Sequence, residues 1–285
     1  MTTIGPWSTH TLEFRPDTVV KTFRAGAHDN HRREWAALTL LHRFAPDLAP
    51  RPVSRDPRPS CPVVVMSRLP GVVLRGTTVR DERVDALAAT LNTLYAAVPD
   101  GVVRELPVRP GHQGAIIARI DEWAGWGLDT APSVGRALAA GVDWLNRGGG
   151  RRALGRGEVP PVFGPGDGNL ANYLADSGGC PDGGARGTRG RIRVVDFEES
   201  GRSDRAFELA EITEHVSSRV DTSLDVRGLL DRVDLTPAEA ARVPDCRRLL
   251  ALVWLFLLSM EDPENPRNPP GTAERQAARL GELLG

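Results

Sequence analysis

The spacing of apolar residues along the chain changes near Pro70 and Gly71. Before this point the apolar stretches are short and either alternate or run through consecutive valines, which predicts a hairpin followed by a buried strand. These stretches are residues 10–14, 18–23 and 61–69. After it, apolar residues recur at helical spacing, in residues 83–98, 114–126 and 133–147. The sequence therefore predicts an α+β chain with a small antiparallel-sheet lobe over residues 1–70, a hinge near 66–71, and a larger, mostly helical lobe over residues 71–285.

The second lobe also contains two predicted short strands, residues 172–174 and 192–197. Between them lies the glycine-rich segment 176–191, which predicts a mobile loop. Residues 146–161 are predicted to form a flexible connector. The apolar run 249–260 is too short to span a bilayer and predicts a buried core helix.

One helix is predicted in the first lobe, over residues 31–45, with Asp29 or Asn30 as its N-cap. Glu34 shares the inward face of this helix with Leu38. An unpaired carboxylate on such a face would cost on the order of several kcal/mol. Glu34 is therefore expected to contact a cation.

Lys21, in the predicted strand 18–23, is the only lysine among 36 Lys and Arg residues. Arginine is a planar fork, whereas lysine is a compact point charge on a flexible stem. In a chain that uses arginine almost everywhere else, we interpret Lys21 as a position whose chemistry arginine cannot supply. Lys21 is the predicted partner of Glu34.

Two acidic motifs follow in the second lobe. Asp167 and Asn172 form D-x-x-x-x-N in the glycine-rich segment GPGDGNLANYL, and Asp196 closes the apolar strand IRVVD. Each motif alone is also typical of an ordinary turn. Phosphoryl transfer needs a lysine for the phosphates, an acid that holds this lysine, oxygen ligands for metal ions and a carboxylate for the hydroxyl proton. Together with Lys21 and Glu34, the two motifs supply these parts.

This arrangement resembles the protein-kinase-like fold, and in particular the aminoglycoside phosphotransferase and choline kinase family of small-molecule kinases. PGDGNLAN and VVDFE resemble the HGDxxxxN segment and the apolar-D-W/F-E motif of that family. VVVMSRLPG resembles its hinge strand, and FELAEI resembles the segment that usually carries Asp-Leu-Ala. The resemblance covers residues 10–215 and implies a bilobal fold.

By this resemblance Asp167 would be the catalytic base, and Asn172 and Asp196 would ligate Mg²⁺. Lys21 would hold the phosphates of the nucleotide and would be positioned by Glu34. Backbone groups at two hinge positions would hydrogen-bond the purine edge, at Ser67 and Leu69.

The chain departs from the family pattern at three places. Pro165 stands where the family has histidine, so the hydrogen bonds of that histidine must be replaced. Glu208, which would brace the catalytic loop, stands where aspartate is usual. The phosphate-covering loop has a single glycine, Gly5, and would have to use backbone amides with Ser8 and Thr9.

The formal net charge of -1 gives no reason to expect a nucleic-acid partner. The charge is uneven, because residues 1–166 carry +5 and residues 167–285 carry -6. An acidic second part would suit a cationic ligand, although solvated helix faces produce the same imbalance. The sequence shows no secretory leader, which predicts a cytoplasmic protein without a membrane partner.

These features together predict an enzyme that transfers the γ-phosphate of ATP, or GTP, with Mg²⁺, to a hydroxyl of a small and cationic molecule. The favoured acceptor is an aminoglycoside-like or other amino-sugar antibiotic. A metabolic acceptor such as choline, homoserine or a sugar is the alternative. A nucleotide-binding pseudokinase is a second alternative, which Pro165 and the weak phosphate loop support. A purely structural protein would leave Glu34 and the single lysine unexplained.

Overall fold

The computed structural model describes residues 2–3, 10–58, 60–155, 157–176, 190–262 and 264–285. Its first part is a five-stranded antiparallel sheet with strand order β1-β2-β3-β5-β4. The strands are β1 (Thr2–Thr3), β2 (Thr11–Phe14), β3 (Thr18–Thr22), β4 (Pro52–Asp56) and β5 (Val63–Ser67). The predicted hairpin is confirmed as β2 and β3. In the register of the sheet Lys21 on β3 lies between Leu12 and Val64.

Strand β4 is absent from the sequence-based prediction. It lies at the edge of the sheet, contains Pro52, and its residues are half-buried or exposed. Edge strands tolerate proline and lack the regular apolar alternation of a buried strand. The pairing of β4 with β5 therefore depends on the tertiary structure, and the register shifts between Pro52 and Ser54.

The helix that packs on this sheet is α1 (His28–Phe44). The prediction that Asp29 or Asn30 caps it was wrong, because the N-cap is Ala27 and no side chain caps the helix. The two polar residues lie in the first turn instead. The predicted inward face is confirmed, since Glu34 and Leu38 are fully buried.

The rest of the chain is mostly helical. Its helices are α2 (Glu82–Ala97), α3 (Asp100–Glu105), α4 (Gln113–Ala124), α5 (Pro132–Asn146), α6 (Gly150–Leu154), α7 (Arg205–Glu214), α8 (Val226–Leu230), α9 (Pro237–Ser259) and α10 (Thr272–Leu284). The prediction of a flexible connector over residues 146–161 was wrong in part, because α6 forms within it. There Gly149, in the left-handed conformation, lets the chain turn into a short helix that packs on α5 and α9.

Short strands connect the helices and flank the segments that carry Asp167 and Asp196. They are β6 (Val72–Val73), β7 (Thr78–Val79), β8 (Val162–Gly164), β9 (Tyr173–Ala175), β10 (Ile192–Val194), β11 (Gly201–Ser203) and β12 (Ser223–Leu224). Strands β10, β9 and β6 form an antiparallel sheet, β8 pairs with β11, and β7 pairs in parallel with β12. The predicted strands 172–174 and 192–197 correspond to β9 and β10, but β10 ends at Val194, three residues earlier than predicted. In the predicted mobile loop, residues 177–189 lie outside the described part of the chain.

Two clusters of buried apolar residues hold these elements together. The first joins α1 and the large sheet to α2 and β9, through residues such as Leu38, Leu87 and Tyr173. The second joins α4, α5, α7, α9 and α10, and includes Phe207 and Leu249. Most of residues 249–260 are therefore core, as predicted, although Leu257 is exposed. The first cluster contains residues from both sides of positions 70 and 71. The division of the chain into two lobes at this point therefore stays a prediction.

Helix α9 begins with a capping box, in which Thr236 and Glu239 exchange hydrogen bonds with each other's backbone amides.

Across the described part of the chain, no helix combines the length and the apolar character that crossing a membrane would require.

Candidate active site

A cleft of about 270 Å³ lies between the large sheet and the segments that lead into β9 and follow β10. Six of the seven predicted site residues line it: Lys21, Glu34, Ser67, Leu69, Asn172 and Asp196. The seventh, Asp167, is hydrogen-bonded to Asn172 at the edge of this cleft. The fold therefore brings these seven side chains together, although they lie as far apart in the sequence as Lys21 and Asp196.

Lys21 is 3% exposed and ends among three carboxylates. Its Nζ lies 3.1 Å from Glu34 Oε2, 2.7 Å from Asp196 Oδ1 and 2.8 Å from Glu198 Oε2. Burial lowers the pKa of the Lys21 ammonium, but Asp196, Glu34 and Glu198 together raise it by more, so the pKa lies above its usual value. Lys21 is therefore positively charged at neutral pH.

Glu34 is held on α1 between Lys21 and the backbone that follows Asp196. Its Oε2 accepts a hydrogen bond from Lys21 and a second, of 2.9 Å, from the amide of Phe197. Burial raises the pKa of Glu34, and although Lys21 opposes this effect the pKa is about 7. The predicted contact between Lys21 and Glu34 is present.

Helix α1 makes two further contacts with the same segment. Asn30 Nδ2 donates to Glu199 Oε1 over 2.9 Å, and Arg33 Nε donates to the carbonyl oxygen of Glu198 over 2.7 Å. Asp196 itself adopts a positive φ of 66°, which is uncommon for a residue with a Cβ and turns the chain sharply after β10. The contacts from α1 stabilise this turn.

Glu198 and His10 are site residues that the sequence analysis missed. The His10 Nδ1 accepts from the amide of Arg24, so its Nε2 carries the proton and donates to Glu198 Oε2 over 2.8 Å. Burial alone would raise the pKa of Glu198, but the hydrogen bond from His10 and the charge of Lys21 lower it to about 2. The signal for Glu198 is its place two residues after Asp196, whereas no pattern surrounds His10.

Asp167 lies in the turn between β8 and β9. Its Oδ1 accepts from the amide of Asn169 and its Oδ2 accepts from Asn172 Nδ2, each over 2.9 Å. The side chain is 37% exposed at the edge of the cleft. Partial burial, followed by the negative charge of Asp196, raises the pKa of Asp167 to about 6. Asp167 is thus a fixed carboxylate that is ionised at neutral pH and is still basic enough to accept a proton.

His215 lies beside Asp167, at the end of α7, and was also missed. Its Nε2 is 3.6 Å from Asp167 Oδ1, and its Nδ1 accepts from the amide of Ser217. Burial, and after it the charge of Arg75, lower the pKa of His215 to about 3. The neutral ring packs against Trp254 with its centroid 4.4 Å away. A histidine therefore faces the Asp167 carboxylate even though position 165 is proline.

Glu208 on α7 lies behind the loop that carries Asp167. Its Oε2 accepts from the amide of Gly166 over 3.2 Å, and its Oε1 accepts from Arg109 over 2.9 Å. Glu208 thus contacts the loop as the prediction has it, and Arg109 is a further residue of this network that no sequence motif indicated. The phosphate-covering positions Gly5, Ser8 and Thr9 lie outside the described residues.

The side chains around Lys21 fit a divalent cation. Glu34, Asp196 and Glu198 each offer a carboxylate oxygen, and these oxygens lie within 4.8 Å of one another. Three carboxylates face one ammonium, and Glu34 Oε1 is buried and, among the described residues, accepts no hydrogen bond. Magnesium prefers oxygen ligands. The excess of negative charge and the donor type are therefore suited to Mg²⁺.

The chain is similar to one known protein family and to several solved structures. Residues 5–240 match the sequence model of the Phosphotransferase enzyme family (APH). No curated protein matches the chain. Among solved structures, the chain is similar to a choline/ethanolamine kinase family protein from Mesorhizobium loti, with 18% identity, a TM-score of 0.66 and coverage of 97% of this chain and 85% of that chain.

Two further structures extend this similarity. The choline kinase LicA from Streptococcus pneumoniae is 15% identical with a TM-score of 0.62, over 99% of this chain and 91% of that chain. A thermostable mutant of the aminoglycoside phosphotransferase APH(4)-Ia, in ternary complex with ADP and hygromycin B, is 16% identical with a TM-score of 0.64, over 100% of this chain and 92% of that chain. The predicted bilobal, protein-kinase-like α+β fold is confirmed. Because the family match spans most of its length, the chain belongs to the phosphotransferase enzyme family of small-molecule kinases.

Proposed function

We propose that this protein transfers the γ-phosphate of ATP, or GTP, to a hydroxyl of a small cationic molecule. The observation that carries the proposal is the convergence on one cleft of Lys21, its three carboxylate partners and the Asp167–Asn172 pair. A structural protein has no need to bury a lone lysine among three carboxylates at the wall of an open cleft.

The proposed roles follow from charge and position. Lys21 binds the phosphates of the nucleotide, and Glu34 holds its ammonium at the floor of the cleft. Backbone groups near Ser67 and Leu69, which line the cleft, bind the purine edge. Asn172 and Asp196 would hold Mg²⁺, which when bound neutralises negative charge on the phosphates. Asp196 belongs to the group of three carboxylates described above, and the other two, Glu34 and Glu198, remain paired with Lys21.

Asp167 is the proposed catalytic base. Because Asn172 and the amide of Asn169 fix both of its oxygens, the carboxylate is oriented before an acceptor binds. Asp167 then orients the acceptor hydroxyl and takes its proton. Phosphoryl transfer has a loose transition state, so alignment and charge supply most of the catalysis and no covalent enzyme intermediate is required.

The proposed acceptor is an amino-sugar antibiotic. Two of the similar structures are a choline kinase and an aminoglycoside phosphotransferase in complex with hygromycin B. Choline and hygromycin B both carry positive charge. Residues 167–285, which hold the catalytic loop and the helices after it, have a formal net charge of -6. A net negative charge of this kind attracts cations. An amino alcohol such as choline is the second candidate, on the same grounds.

The proposal is tested by measuring ATP consumption with Mg²⁺ on a panel of amino-sugar antibiotics, choline, homoserine and neutral sugars. We expect Asp167→Ala to lower turnover on the best acceptor by about 10²- to 10⁴-fold and to keep nucleotide binding. The control is Asp47→Ala, which removes an exposed carboxylate outside the cleft. Binding of ATP or GTP without turnover on any acceptor would identify a pseudokinase, and absence of binding of both nucleotides would contradict the proposal altogether.

A further inference from the structure

A buried ionic cluster lies directly beneath the loop that carries Asp167. Its centre is Arg109, which is 2% exposed and comes from the segment between α3 and α4. The backbone of this segment is fixed against β11, because the Arg109 amide donates to Arg202 O over 3.2 Å and the Arg202 amide donates to Pro107 O over 2.9 Å. The backbone of Arg109 is therefore fixed by β11, the strand that pairs with β8 just before the loop that carries Asp167.

The guanidinium of Arg109 binds three oxygens at once. Its Nη1 donates to Glu208 Oε1 over 2.9 Å. Its Nη2 donates to Glu211 Oε1 over 2.8 Å and to the carbonyl oxygen of Gly166 over 2.5 Å. The guanidinium also lies 5.3 Å from the ring centroid of Phe207. These contacts use the planar fork of arginine, which a lysine cannot reproduce with one nitrogen.

Gly166 is the residue immediately before Asp167, and both of its backbone polar groups are held by this cluster. Its amide donates to Glu208 and its carbonyl accepts from Arg109. Gly166 has a positive φ of 84°, and an added Cβ would lie 2.1 Å from Glu199 O. The peptide bond between Gly166 and Asp167 therefore has one accessible orientation in this fold.

Glu208 cannot hold the loop in this way without Arg109. Glu208 is 1% exposed, and a buried carboxylate that loses its cation is strongly destabilised. Its contact with the Gly166 amide thus depends on the charge that Arg109 supplies. We call Arg109, Glu208 and the Gly166 backbone the loop clamp.

We infer that Arg109 is a positioning residue for phosphoryl transfer, which orients Asp167 by fixing the peptide that precedes it. The inference rests on the proposed role of Asp167. It also accounts for Pro165, because the loop clamp supplies side-chain contacts to this loop that proline, with no side-chain donor or acceptor, cannot make.

The test is Arg109→Lys, which keeps the charge and removes the fork. The matched control is Arg205→Lys, since Arg205 also pairs with a fully buried glutamate, Glu239, but does not contact the catalytic loop. Three quantities are measured: turnover of Mg·ATP with water and with the best acceptor, the Kd of the nucleotide, and amide hydrogen exchange in residues 162–170.

We expect Arg109→Lys to lower turnover at least about 10-fold, because small displacements of a catalytic group are costly. The nucleotide Kd should stay within about two-fold of the parent, since Lys21 and the hinge are untouched. Amide exchange should become faster in residues 162–170 alone. Arg205→Lys should change none of the three quantities.

Unchanged turnover or unchanged exchange in Arg109→Lys overturns the inference. A lower melting temperature that is accompanied by changes in both turnover and nucleotide Kd also overturns it, because that result indicates a general structural role. If the parent protein shows no turnover at all, the proposed function fails while the exchange experiment still decides the role of Arg109 in fixing the loop.

A second variant covers the case in which Arg109→Lys does not fold. Glu208→Gln keeps an acceptor oxygen for Arg109, and Glu211 continues to neutralise the guanidinium. The variant loses the charge-assisted hydrogen bond to the Gly166 amide. It should lower turnover without changing nucleotide Kd, and parent-like turnover would contradict the loop clamp.

Discussion

The substitution Gly168→Ala tests how closely the catalytic loop must approach α7. Gly168 follows Asp167, and a Cβ added to it would lie 2.1 Å from Glu211 O and 2.6 Å from the Ile212 amide nitrogen. Both are backbone atoms of a packed helix, so no side chain can rotate away. Cβ atoms essentially never approach another heavy atom within 3.0 Å. Alanine must therefore displace the loop or the helix by about 0.9 Å.

This displacement predicts a larger effect on catalysis than on stability. Overpacking of this kind typically lowers the free energy of unfolding by about 1–3 kcal/mol, which a domain with about 5–15 kcal/mol of stability survives. A shift of about 1 Å in a catalytic group can cost about 10²-fold in rate. We therefore expect Gly168→Ala to be folded and to have a kcat about 10²-fold below the parent value.

The assay is kcat and KM for ATP with the best acceptor, together with thermal unfolding followed by circular dichroism. Gly281→Ala is the control, because Gly281 lies in α10 and an added Cβ meets nothing within 4 Å. That control should gain up to about 1 kcal/mol of stability and keep its kcat. A folded Gly168→Ala protein with kcat within about two-fold of the parent would refute the reasoning.

Two further predictions concern charged groups of the site. Lys21→Arg should lower kcat/KM for ATP by about 10²-fold or more and leave the circular dichroism spectrum unchanged. The reason is that a planar guanidinium does not fit among three carboxylates that lie 2.7–3.1 Å from the Lys21 Nζ. An unaffected rate would show that Lys21 is not part of the site. Burial lowers the pKa of His215 to about 3, so between pH 3 and 6.5 the folded state binds fewer protons than the unfolded chain. The free energy of unfolding therefore falls as pH falls from about 6.5 towards 3, by up to about 1.4 kcal/mol per pH unit. His215→Gln should flatten the dependence of urea unfolding free energy on pH between 4.5 and 6.5, and an identical slope in both proteins would contradict this prediction.

The contact between Lys21 and Glu34 could be predicted because two local patterns decide it. Strand alternation and helical spacing each fix the face on which a side chain lies. Once Glu34 shares a face with Leu38, its burial requires a cation, and the chain offers a single lysine. Local sequence was also sufficient for the hairpin and for the core helix α9.

Other features could not be predicted because they depend on distant parts of the chain. Strand β4 is polar and exists through its pairing with β5. Arg109 contacts residues 57 to 102 positions away, and it is one of 35 arginines with no motif around it. His215 faces Asp167 only because α7 ends at that point. Spatial neighbours of this kind are set by how the elements pack, and a single sequence carries no record of that packing.

The three hydrogen bonds between α1 and residues 197–199 join the helix that carries Glu34 to the segment next to Asp196. A helix held in this way cannot swing outward without breaking all of them together. We therefore expect the contact between Lys21 and Glu34 to form as soon as the protein has folded, with no activating modification needed to bring α1 into place.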